Sequence, residues 1–314
     1  MKKFKALIAG IGIAVVSLAV FAGCSASFSY VYENGEKYTA GDRDISDKIE
    51  NINIDYMSGN VTLVGTSTDA VSIRETTNKE IEDKKKVHTW VDGGTLYVRY
   101  CASGRGFNFD KIEKNLEITI PEDVKLSNVK VDISSGGFTG SNFEADSLDA
   151  DASSGGINAS CSAKNIKLDV SSGSIVLNQK GLSDLVELEA SSGHIDANVE
   201  TVTDMSVDIS SGKIAVNAKE VKTFKANASS GDSQYTFLSV PESSVIESSS
   251  GDIDIFIPED ADVAADVSVS SGDIRYDLPF TKEGKAYKLG NGKYNMKISA
   301  SSGDITINKA EAEK

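Results

Sequence analysis

Five carboxylates, Asp132, Asp151, Asp169, Glu189 and Asp208, recur at intervals of eighteen to twenty residues. If each lies on its own strand of one ladder, neighbours stand about 4.8 Å apart. Aligned like charges repel. A divalent cation such as calcium, or a cationic polymer, would offset that repulsion, which makes this ladder the candidate cation-binding site. A plainer reading stays open, in which the residues form a solvated acidic face. Lys130, Lys167 and Lys225 fall on the same side, two residues before ladder positions. A second series, Asp232, Asp252, Asp273 and Asp304, directly follows turn glycines. Aspartates so placed cap backbone N–H groups. A third, Asn178, Asn198 and Asn217, is expected to form an amide stack between strands.

Other chemistry is thinly represented. The chain has two histidines, His88 and His194. Metal-protease, phosphate-loop and dinucleotide fingerprints are absent. No catalytic residue and no resident cofactor are expected, calcium on the acidic ladder being the one candidate ion. A carbohydrate-active enzyme would need long loops that converge on a cleft. The segments joining the repeats between Gly136 and Gly272 are too short for that.

The carboxylates owe their spacing to a repeat. Nine Ser-Ser-Gly turns end at Gly136, Gly155, Gly173, Gly193, Gly212, Gly231, Gly251, Gly272 and Gly303, and a Met-Ser-Gly turn ends at Gly59. Positions five and three before each glycine, and two and four after it, are apolar except Gly140, Ser233 and Ser248. The position four before the glycine, which carries the carboxylates, is never apolar. Alternation with period 2 means one buried and one wet face. A unit this short cannot bury its own apolar face, so copies must stack. The expected fold is all-β, a parallel β-solenoid of about 19–20 residues per coil, right-handed by the general chirality of parallel crossovers. The serine before each glycine is expected to point inward as a hydroxyl ladder.

The ends set compartment and boundaries. Lys2, Lys3 and Lys5 precede an apolar run from Ala6 to Phe21, then Ala22, Gly23 and Cys24. This reads as a lipoprotein signal peptide over 1–23, with Cys24 lipidated as the mature N-terminus. Residues 24–44 read as a tether and 45–308 as the repeat domain, with degenerate coils over 45–130 and regular ones over 131–308. Residues 309–314 form a tail. The charged stretch Asn78 to Lys86 reads as an exposed loop. The long gap between Gly272 and Gly303 reads as an insertion or hairpin near the last open edge, which must be covered against pairing with other chains. The net charge of −15 argues against nucleic acid as a partner. Cys161 reads as an apolar filler, and two cysteines, Cys101 and Cys161, make no disulfide framework.

The turn repeat, Ile120-Pro121-Glu122, Ile257-Pro258-Glu259 and the segment from Asp277-Leu278-Pro279-Phe280 to Gly292-Lys293 carry a resemblance. So does Ser-Ser-Gly-Asp-Ile at Gly251 and Gly272. From Ile49 to Asn308 the chain resembles the bacterial putative-adhesin family of β-strand-repeat proteins, a domain of unknown function. The resemblance implies a β-solenoid, exported or membrane-attached, and brings no catalytic residues. The expected role is a non-catalytic, lipid-anchored envelope protein on the outer side of the bacterial cytoplasmic membrane. It would bind cell-wall polymer, polysaccharide or another envelope protein. The alternative is an envelope-stress or regulatory component acting through a membrane protein partner.

Overall fold

The computed structural model describes residues 29–106, 112–284 and 286–310. They are mostly strand, with two short 3-10 turns and no α-helix among the described residues. No described helix is long and apolar enough to cross a membrane. The sheet is open rather than a closed barrel. Successive repeats pair in parallel and in register: Val129 with Leu148, and Leu148 with Ile166. We call each repeat a rung and name it by its corner glycine.

The alternating pattern dictates the core. Ile133, Leu168, Val170, Ile175, Leu177, Val207, Ile214 and Val216 are all buried. The phase fails at one rung, that of Gly272, where Val269 and Ile274 are only partly buried and Tyr276 is 44% exposed. That rung lies at the end of the stack, with no rung beyond it to complete its burial.

The Ser-Ser-Gly corners are bends rather than tight turns, and one strand continues from Ile157 to Ser230 through three of them, those of Gly173, Gly193 and Gly212. The corner serines are exposed, so the expected inward hydroxyl ladder does not form. Their carbonyls matter instead: Gly136 N–H donates to Ser154 O at 2.8 Å, and Gly155 N–H to Ser172 O at 2.8 Å. Glycine is required by contact as well as by φ. At Gly155 φ is +128°, and a Cβ would lie 1.8 Å from the Gly136 carbonyl oxygen.

Rung order departs from chain order at both ends. Tyr294–Ser302 pairs in parallel with Ser243–Ser250 on one side and Val263–Ser271 on the other. The Gly303 rung thus lies between those of Gly251 and Gly272. At the other end, Asn51–Ser58 lies between Thr95–Arg99 and Lys125–Ser135. Antiparallel strands flank the ends. Val71–Thr77 pairs with Lys114–Pro121, and His88–Asp92 with Thr95–Arg99. The insertion after Gly272 does form a hairpin, Thr281–Glu283 with Ala286–Leu289, but it covers only Val263–Asp266 of the last rung.

The segment expected as a tether joins the fold from Ser29. Ser29–Tyr30 pairs with Arg105–Gly106, Thr39–Ala40 with His88 and Thr89, and Arg43–Ile45 with Val71–Ile73. These pairings supply partners to otherwise open strand edges, a role composition alone does not reveal. The degenerate end also buries a charge. Lys114 Nζ lies 2.8 Å from Glu75 Oε1, with both side chains almost fully inaccessible. It donates to Lys85 O and Tyr100 O at 2.7 and 2.6 Å. Tyr56 O–H and Val87 N–H donate to the same glutamate. Burial pulls the Lys114 ammonium below its usual range, and Glu75 opposes that shift.

Candidate functional site

The acidic ladder exists as a stack. Asp132 pairs directly with Asp151, and Asp151 with Asp169. Alternation puts these side chains outward, because the residues on either side of each are buried. Glu189 and Asp208 continue the face: together with Asp169, Asn227, Ser191 and Ser210 they line an open groove of ≈ 230 Å³. Asn227 Nδ2 donates to Asp208 Oδ1 at 2.6 Å, an amide-to-carboxylate bond between successive rungs.

The electrostatics follow from crowding. Burial raises the Asp151 carboxyl above its ordinary range, and Asp149, Asp169 and Asp132 add to the shift, while Lys130 opposes it. Burial also raises Asp132, with Asp55 adding and Lys130 opposing. Among the described residues no three His, Cys, Asp or Glu side chains gather to hold a metal ion. The ladder is a line of single carboxylates, one per rung.

The face is longer than the five residues first singled out. Asp55 pairs with Asp132 on the far side from Asp151, and Arg99 pairs with Asp55. Asp55 stands four residues before Gly59, so the repeat phase applied to the Met-Ser-Gly turn would have found it. Arg99 has no such signal. Toward the other end the ladder alternates with neutral residues: Asn227 pairs with Glu247, and Glu247 with Ser299.

The remaining candidates serve structure. Asp252 N–H donates to Asp232 Oδ1, Asp304 N–H to Asp252 Oδ1 and Asp273 N–H to Asp304 Oδ1. Each corner aspartate therefore caps the next rung, in stacking order rather than chain order. The bond from Asp273 and the Arg275 guanidinium hold the Asp304 carboxyl below the usual range. The asparagine stack forms as expected: Asn198 donates to Asn178 at 3.2 Å and Asn217 to Asn198 at 3.0 Å. Cys101 and Cys161 are free and buried, and burial pushes the Cys161 thiol up to about 12. His194 is exposed at a corner, and His88 is buried with Nδ1 2.9 Å from Lys86 O. Cys24 lies outside the described residues.

A second polar feature had no sequence signal. At the degenerate end, Tyr30, Tyr32, Tyr38, Trp90 and Tyr97 form a continuous run of ring contacts, with centroids 4.8 to 5.6 Å apart. Arg99 lies 5.5 to 6.0 Å from three of these rings, and Lys37 Nζ lies 4.8 Å from the Trp90 centroid. These residues come from distant chain positions and follow no period.

The Toastrack DUF4097 family model matches residues 49–308. A solved putative adhesin from Parabacteroides distasonis is 13% identical, covering 86% of this chain and 97% of its own, at a TM-score of 0.47. A putative adhesin from Parabacteroides merdae is 14% identical, covering 90% of this chain and 100% of its own, at 0.46. A putative lipid binding protein from Parabacteroides distasonis is 14% identical, covering 87% and 97%, at 0.48. No curated protein matches the chain.

Proposed function

Starting from a chain that belongs to the Toastrack DUF4097 family, we propose a non-catalytic binding rod of the bacterial cell envelope. Its rungs form a right-handed β-solenoid of about 19–20 residues per coil, a reading supported by the parallel register of successive repeats. It is anchored on the outer side of the cytoplasmic membrane by lipid on Cys24. The ligand is an extended polymer of the cell wall, a polysaccharide above all, lying along the acidic ladder.

One observation carries this reading. The groove repeats a carboxylate and a corner hydroxyl from rung to rung, at Asp169, Glu189 and Asp208 and at Ser191 and Ser210. Such a face offers acceptors for ligand hydroxyl and ammonium groups at regular spacing. Each contact is weak, and many in series give avidity. Replacing Asp169, Glu189 and Asp208 together by Asn, Gln and Asn keeps shape and removes charge. Co-sedimentation of the full chain with purified cell-wall polymer is the test. Loss of binding in the triple variant supports the groove; equal binding places the ligand elsewhere. Replacing Cys24 by Ala should abolish incorporation of labelled fatty acid. Equal labelling of wild type and variant would remove the anchor.

A further inference from the structure

The aromatic and cationic cluster at the degenerate end adjoins the acidic ladder where Arg99 pairs with Asp55, and none of its residues lines the groove. Its five rings are all partly accessible, Val31 among them is 68% exposed, and Lys37 and Arg99 sit against the ring faces. Amphipathic rings with an apolar body and a polar tip, flanked by cations and an exposed aliphatic side chain, match the boundary between lipid tails and headgroups. Lysine and arginine suit the phosphate layer, with their stems along the rings.

Position points the same way. The first described strand begins at Ser29, five positions after Cys24. Fully extended, five residues reach only about 17 Å. An acyl chain on Cys24 would therefore hold this end of the rod close to the headgroups. Charge agrees. Residues 29–114 hold 12 Lys and Arg against 15 Asp and Glu, whereas residues 115–314 hold 17 against 32. The nearly neutral end can approach an anionic leaflet, and the acidic remainder is repelled from it.

We propose that the patch formed by Val31, Lys37, Tyr38, Trp90, Tyr97 and Arg99 is a seat for the phospholipid headgroup layer, fixing the attitude of the rod on its membrane. The proposal rests on the Cys24 anchor described above and adds a second, direct contact with the bilayer.

Trp90 is the sole tryptophan of the chain, so its emission reports this contact directly. The processed full chain is reconstituted into phosphatidylglycerol–phosphatidylethanolamine vesicles, with or without lipids brominated on the acyl chains. Vesicle flotation reads the anchor, and quenching of Trp90 reads the seat. The expected result is flotation with loss of Trp90 emission in brominated vesicles. The double variant Val31→Asp, Lys37→Glu should still float and lose the quenching. Flotation of the wild type without quenching overturns the seat and leaves the anchor standing. Failure to float overturns the anchor, and the seat with it. Equal quenching in the double variant also overturns the seat, because the contact would then lie outside the patch.

Discussion

Replacing Gly155 by alanine tests the spacing of the rungs most directly. An alanine Cβ there would sit 1.8 Å from the Gly136 carbonyl oxygen and 2.5 Å from its carbon, and both belong to backbone. The backbone strain of φ +128° costs an L-residue about 1–3 kcal/mol. Pushing the rungs apart breaks the corner hydrogen bonds on either side, Gly136 to Ser154 and Gly155 to Ser172, at about 1 kcal/mol each. Forcing a methyl into a packed site adds about 1–3 kcal/mol. The sum is about 4–8 kcal/mol, a large part of the 5–15 kcal/mol typical of a domain. Gly181 is the control, because its φ is +73° and a Cβ there meets nothing within 4 Å. Gly181→Ala should cost about 1–2 kcal/mol. At about 2–4 °C per kcal/mol, Gly155→Ala should melt at least roughly 4 °C below Gly181→Ala. Calorimetry on both variants, with hydrogen exchange to detect local opening of the array, supplies the measurement. Equal melting temperatures would refute the idea that rung contact, rather than φ alone, demands glycine.

The strand phase predicts that Ile214→Asp, at a buried position, loses several kcal/mol. Asp208→Asn on the outer face should change little, and urea melts that rank the two the other way would mean the phase is shifted by one residue. Asp132 and Asp151 have carboxyls raised in the folded state, so the native state holds their protons more tightly than the unfolded chain does. Their contribution is fully present below the ordinary aspartate pKa and is lost as pH rises through the raised values. Asp132→Asn with Asp151→Asn should therefore raise melting temperature at pH 7 relative to wild type and leave it unchanged near pH 3; no gain at pH 7 would contradict the crowding account. Lys114→Met should cost about 3–5 kcal/mol by stranding Glu75 in the interior. The double variant Lys114→Met, Glu75→Gln should recover part of that loss, and chemical denaturation of the single and double variants checks it.

The inward and outward faces could be read from alternation around each glycine, because burial on one face leaves a period of 2 in any chain. The acidic ladder was legible for the same reason, and Asp55 would have been. Other features were not. Inward serines are expected because the residue before each glycine continues the buried phase of the alternation, whereas the bend at the corner keeps Ser135 and Ser154 at the surface. The buried Lys114 carries a residue type that normally marks the surface, and only its three oxygen partners reconcile it with the interior. The order of the end rungs leaves no trace in the period, because equivalent repeats present equivalent ladders. Only the pairing partners of Asn51–Ser58 and Tyr294–Ser302 distinguish the arrangements.

That order gives the rod a mechanical clasp. Chain ends are ordinarily where a protein frays first. Here Ile305–Lys309, the last described strand, is gripped between Ile253–Ile257 and Ile274–Tyr276. A protease that unravels its substrate from the C-terminus would have to shear two ladders at once before freeing the first rung. From the other direction, once the short strands before Ile45 are gone, Asn51–Ser58 presents the same doubled grip. An array whose rungs were stacked in chain order could be peeled one ladder at a time. This one resists being drawn out from either end.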